Sequence, residues 1–158
     1  MPDDLHDRDI LEWSVIQADR LRRLRMGERP NDLDWDNLID EIKDVGRSEL
    51  RATTTLLARA LEHLLKLAAR PGADPERHWR AEALVLLQDA RRAFSPSMAE
   101  HIEVSGLYAE AVSTVSGLRI AGRAPHAVAR MCPFTLGKLL SPAFDLGDAI
   151  RRLRTVPD

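Results

Sequence analysis

The sequence predicts an all-α protein: a helical bundle of four main helices, one of them unusually long, with short helices toward the C-terminal end. Three observations predict it. Apolar residues recur at helical spacing along most of the chain. Leu and Ala, together with abundant Arg and Glu, favour helix over sheet. No segment alternates with period two for long enough to make a strand.

The first helix is expected from about Asp9 to Met26, with Asp7 or Asp9 as its cap and Ile10, Trp13, Gln17, Leu21 and Leu24 on one face. Gly27 ends it, and a turn follows at Pro30–Asp32. The second helix, capped by Asp34 or Asp36, runs through about Lys66. Leu38, Ile42, Val45, Leu56, Ala60, Leu64 and Leu67 share its apolar stripe, and Glu49 falls within that stripe. Some 35 residues would extend about 50 Å, against about 40 Å for the diameter of a domain of this length. Because the stripe keeps its phase across Gly46, continuity is preferred to a break, so one end of the helix should lack cover.

A third helix should begin near Pro75 and bury Trp79, Ala83, Leu86, Ala90 and Ala93. Ser95-Pro96 reads as a stop and a fresh start. The fourth helix then directs Met98, Ile102, Ala109, Val112 and Val115 inward, with Ser105 and Ser116 on the same side. A loop at Gly122–Pro125, a short helix over Pro133–Leu140 and a polar tail helix around Leu146–Leu153 complete the chain.

The 158 residues are expected to form a single domain with a core that needs no disulfide or metal. Cys132 is the lone cysteine, which suits a reducing compartment. The acidic start MPDDLHDRD has no apolar run of the secretory kind, and no window approaches the ~18–20 apolar residues of a membrane span. A soluble, cytoplasmic protein with no membrane partner is expected. Net charge is −2, which offers no general attraction to nucleic acid. Residues 1–50 carry 14 acids and 8 bases, whereas 51–158 carry 11 and 15.

Glu49 is the first candidate for chemistry. An acid aimed at a core is either shifted in pKa and available for proton transfer or metal binding, or held in an ion pair with Arg80, Arg91 or Arg92; the structural reading is preferred. His63 lies 14 residues on, about 21 Å along a straight helix, too far to share a site with Glu49. It reads best as a core-edge group. Asp74, His78 and Glu82 recur every four residues, yet no histidine has Glu three positions before it, so the di-metal bundle pattern is missing and no metal is expected. Cys132-Pro133-Phe134-Thr135 reads as helix-start chemistry around a structural thiol. The basic run Arg20, Arg22, Arg23, Arg25 and Arg29 spreads around its helix and meets acids directly afterwards, which argues against a nucleic-acid face.

Several stretches, in order, resemble a bacterial domain-of-unknown-function family, numbered twenty-nine. Asp9-Ile10-Leu11-Glu12-Trp13 with Gln17 and Leu21 is similar to its opening helix. Asn37-Leu38-Ile39-Asp40-Glu41-Ile42 and Val45-Gly46-Arg47-Ser48-Glu49 resemble its most distinctive signature. His63-Leu64-Leu65-Lys66, Trp79, Ser95-Pro96-Ser97-Met98 and Cys132-Pro133-Phe134-Thr135-Leu136 follow. The family-like core is 7–141, and 142–158 reads as a C-terminal extension. The stretch from Trp79 to Ser95 is shorter than the family pattern and lacks its Gln-Arg-Arg. The resemblance implies a small helical protein with no assigned activity and no catalytic residue to carry over; no cofactor is expected.

The first functional expectation is a non-enzymatic protein-interaction or structural module, acting as a homodimer through the uncovered end of the long helix. The alternative is an enzyme or small-ligand binder with a pocket lined by Trp13, Gln17, Glu49 and Trp79, and His63 is a separate ligand-binding candidate. A third reading, a regulatory partner of a toxin or other macromolecule, rests on small size alone.

Overall fold

The computed structural model describes residues 5–119 and 122–154; the acidic segment 1–4 lies outside them. Among the described residues there are seven α-helices and no strand: α1 (Leu5–Arg8), α2 (Ile10–Arg25), α3 (Trp35–Ala69), α4 (Glu76–Ala93), α5 (Val104–Gly117), α6 (Leu136–Leu139) and α7 (Leu146–Arg154). A 3-10 turn, Pro96–Glu100, lies between α4 and α5. The backbone groups into two compact units, Met1–Ser48 and Glu49–Asp158. Helix α3 begins in the first and ends in the second, unbroken at Gly46.

The first unit is a helical hairpin. Asp9 caps α2 by accepting from the Glu12 amide at 2.9 Å, the usual service of an N-cap carboxylate. Gly27, at φ 90°, supplies the left-handed step that turns the chain after α2. Asp34 caps α3, its Oδ1 accepting from the Asn37 amide at 3.4 Å. The two helices run antiparallel, as the pairs His6–Glu41, Trp13–Asp34 and Arg20–Asp32 require. Only Trp13 and Gln17 are buried on α2. Ile10, Leu21 and Leu24, expected beside them, are exposed. The cause is what α3 offers: its Asp34–Asn37–Glu41 flank faces α2, so the hairpin is joined mainly through polar groups.

The second unit holds the apolar core. Leu57, Ala60, Leu61, Leu64 and Leu65 of α3 pack with Ala83, Leu87 and Ala90 of α4, Tyr108 and Val115 of α5, Leu139 of α6, and Ile150 and Leu153 of α7. Full burial of a Leu side chain contributes roughly 1.5–3 kcal/mol, so this cluster dominates the stability of the unit. Around α5 the structure corrects the expected register. The 3-10 turn and the break after it restart the helical phase, so Tyr108 and Ala111 face inward while Ala109, Ser105 and Ser116 are exposed. The Tyr108 hydroxyl donates to the Ala129 carbonyl at 2.6 Å, and burial pushes its pKa up to about 12.

Two short helices also differ from expectation. Helix α6 starts at Leu136 rather than at Pro133, because Thr135 is its cap, accepting from the Lys138 amide at 3.2 Å. Helix α7 is not merely a polar tail: Leu153 is wholly buried, and the Arg154 guanidinium donates to the carbonyls of Leu67 and Ala68 at the end of α3.

Candidate functional site

The candidate residues fall into two groups, one in each unit. In the first unit, Trp13 and Gln17 both converge on Asp34. The Trp13 indole donates to Asp34 Oδ2 at 3.0 Å, the Asn37 amide group donates to the same oxygen at 2.8 Å, and Gln17 Oε1 accepts from the Asp34 backbone N–H at 3.1 Å. Hydrogen bonds from Asn37 and then Trp13 hold the Asp34 carboxyl below its ordinary pKa. His6 packs edge-on against the Trp13 ring at 4.8 Å and bonds Glu41 at 2.8 Å, which raises its pKa. These polar atoms are occupied by each other. They lock the hairpin and leave Trp13 and Gln17 little to offer a substrate.

In the second unit, Glu49 is exposed, which corrects the expectation of an acid aimed at the core. Its backbone carbonyl accepts from the buried Thr53 hydroxyl at 3.0 Å. The arginines considered as its partners are engaged elsewhere: Arg80 with Glu76, Arg91 with the carbonyls of Leu140 and Ser141, and Arg92 with Asp89. His63 is half-buried, and its ring meets that of His78 at 6.4 Å. Its Nδ1 has no partner among the described residues, and burial, with Lys66 adding to it, lowers its pKa. Trp79 is part of the apolar core. Asp74 and His78 are exposed, and the described residues contain no group of three His, Cys, Asp or Glu able to hold a metal. Cys132 is half-buried and donates to the Phe134 carbonyl, and burial raises its pKa.

Among the described residues, the second unit carries the following concavities. One of about 460 Å³ is lined by Arg70, Asp74, Arg123 and His126. The other, about 330 Å³, runs along Thr54, Arg59, Glu62 and Glu110. None of Trp13, Gln17, Glu49, His63 and Trp79 lines either.

The feature that stands out is a surface. On a helix turning ~100° per residue, Trp35, Ile39, Ile42, Gly46, Glu49, Thr53, Leu57, Ala60, Leu64 and Leu67 all lie within about 40° of one line. From Thr53 onward that line is buried. From Trp35 to Glu49 the same line is bare: Trp35 is 54% exposed, Ile39 48% and Ile42 71%, with Val45 beside them at 66%. The hairpin partner α2 packs on the polar flank and so leaves the stripe open. On α2, Ile10, Leu21 and Leu24 are exposed as well. Periodicity placed Ile42, Glu49, Ala60, Leu64 and Leu67 on this stripe but missed Trp35, Ile39 and Leu57, and it carried no signal for where along the helix the cover stops.

Fold and surface together define a small all-helical protein. No described helix is long and apolar enough to cross a membrane. The chain belongs to the family described as Domain of unknown function DUF29, whose model matches residues 5–145. It is similar to an α-helical protein of unknown function from Rhodospirillum rubrum, known from a crystal structure. The two share 27% identity with a TM-score of 0.67, over 96% of this chain and 98% of that one. No curated protein matches.

Proposed function

We propose that this is a bacterial, cytoplasmic, non-enzymatic interaction module whose first unit docks a second copy of the chain through the bare face of α3. The observation that carries the reading is the change in cover along one unbroken stripe, from enclosed at Thr53 to open at Ile42. A contiguous apolar strip of this kind marks an interaction site. A second copy is the occupant because the rim of the strip balances itself. Asp36 and Asp40 lie toward its N-terminal end and Lys43 and Arg47 toward the other, so the strip is complementary to its own reverse rather than to an acidic or basic partner.

The exposed parts of Trp35, Ile39, Ile42 and Val45, summed over two copies, equal about five full side chains, or roughly 7–15 kcal/mol of gross burial. Association consumes about 4–15 kcal/mol in lost freedom. The two are of similar size, so the dimer is weak and the assay must reach high micromolar protein. Sedimentation velocity over a concentration series should give a monomer–dimer equilibrium that Ile42→Asp shifts to monomer without loss of helicity. A strict monomer throughout the series refutes the proposal.

A further inference from the structure

The geometry points to an antiparallel pairing of the two α3 segments in one register, with Trp35 of each copy seated over Gly46 of the other and Asp36 paired with Lys43; this rests on the docking reading above. The spacing of the bare stripe is Trp35, Ile39, Ile42, Gly46, Glu49, alternately four and three residues, which is the seam of a two-helix coil. In an antiparallel pair, a position that opens a four-step meets one that closes it. With the two-fold axis between residues 40 and 41, Trp35 meets Gly46 and Ile39 meets Ile42.

Size complementarity supports this register. Gly46 has nothing within 4 Å of where a side chain would begin, so its face is an open notch in the strip, and Trp35 is the bulkiest bare residue on it. The flanks agree. On one side the residues bordering the seam are Asp36 and Lys43, which the same axis sets opposite each other twice. On the other side they are Leu38 and Val45, which also meet. Lys43 sits 3.3 Å from Asp40 in its own chain, and that pair is exposed and free to exchange.

Alternative registers are disfavoured by the same residues. Sliding by one heptad in one direction opposes Lys43 to Lys43 and buries Glu49 against Ile39. Sliding the other way opposes Asp36 to Asp36. A parallel pair sets Trp35 against Trp35, places Lys43 beside Leu38 and gives neither Asp36 nor Lys43 an opposite charge. Like charges across a seam select against a pairing.

The test uses the full chain and four variants: Asp36→Lys, Lys43→Asp, the two combined, and Gly46→Leu, each checked for helicity. Each single charge reversal should raise the dimer Kd about ten-fold, and the combination should return it to within about three-fold of the parent. Asp36 and Lys43 stand two turns apart in one chain, so such a rescue cannot arise within a monomer. Gly46→Leu should raise Kd while helicity holds or rises, because the monomer has room for the side chain and Gly is a poor helix former. A dimer that Ile42→Asp breaks, but that ignores Gly46→Leu or is not rescued by the double reversal, overturns this register and leaves the docking face standing. A parent that never dimerises overturns both.

Discussion

Asp34 is the group on which the first unit depends, and its removal can be costed. Asp34→Ala takes the acceptor from the Trp13 indole and from Asn37, and also removes the cap of α3. Leaving a buried donor unmade costs ~1–3 kcal/mol, and loss of a cap ~0.5–2 kcal/mol. Asp34 is only half-buried, so water can replace part of what is lost, and roughly 2 kcal/mol is the reasonable total. That multiplies hairpin opening about thirty-fold. Native-state hydrogen exchange of the Trp13 indole and the α2 amides should accelerate by that factor, while amides around Leu64 and Leu87 stay protected. Asp34→Asn, which keeps one acceptor and the cap, should lie between. Unchanged exchange in α2 after Asp34→Ala would refute the reasoning, because the hairpin would then be held by something other than these bonds.

Further outcomes follow from the same geometry. Glu49→Ala should change global stability by no more than ~0.5 kcal/mol, as for an exposed site, whereas Leu64→Ala should cost ~2–5 kcal/mol; urea titration compares them directly. Tyr108→Phe should cost about 1–2 kcal/mol, because it strips the donor from the Ala129 carbonyl, and phenolate absorbance in the native protein should reach its midpoint only near pH 12. The pH dependence of the hairpin has two limbs. The Asp34 pKa is depressed, so its contribution is present above the ordinary 3.8 and disappears as pH falls through the folded value. The His6 pKa is raised, so its contribution is complete below the ordinary 6.5 and disappears as pH rises through the folded value. Indole exchange at Trp13 should therefore be slowest, relative to intrinsic rates, between about pH 4 and 6.5, and His6→Ala should remove the upper limb alone.

The long helix was legible because its apolar phase survives Gly46, and a phase that persists over that many residues has no simple explanation other than continuity. The Asp9 cap and the burial of Trp79, Ala83, Leu86 and Ala90 on α4 were legible for similar local reasons, whereas Ala93 is only half-buried and Leu87 was missed. Glu49 was misread for an instructive reason. Periodicity tells which side of a helix is apolar, not whether anything lies against it, so an acid on the stripe looks buried wherever the stripe is assumed to be covered. The α5 register failed because a short 3-10 segment inserts a phase change that no single residue announces, and Tyr108 took the place expected of Ala109. The guanidinium contacts of Arg70 with the carbonyls of Leu118 and Arg123, and of Arg154 with the end of α3, link positions dozens of residues apart. Such pairings leave no trace in local pattern. The Asp34 hub was half visible: its capping role could be read from sequence, but its capture of Trp13 and Gln17 needed the hairpin to close.

The reach of those contacts also orders events as the polypeptide is made. The hairpin is tied by pairs no more widely separated than His6 and Glu41, whereas the second unit waits for Arg154 to return to Leu67, 87 positions away. Closing short loops is quicker than closing long ones. The contacts that tie the hairpin can thus all form before the longest contact of the second unit does.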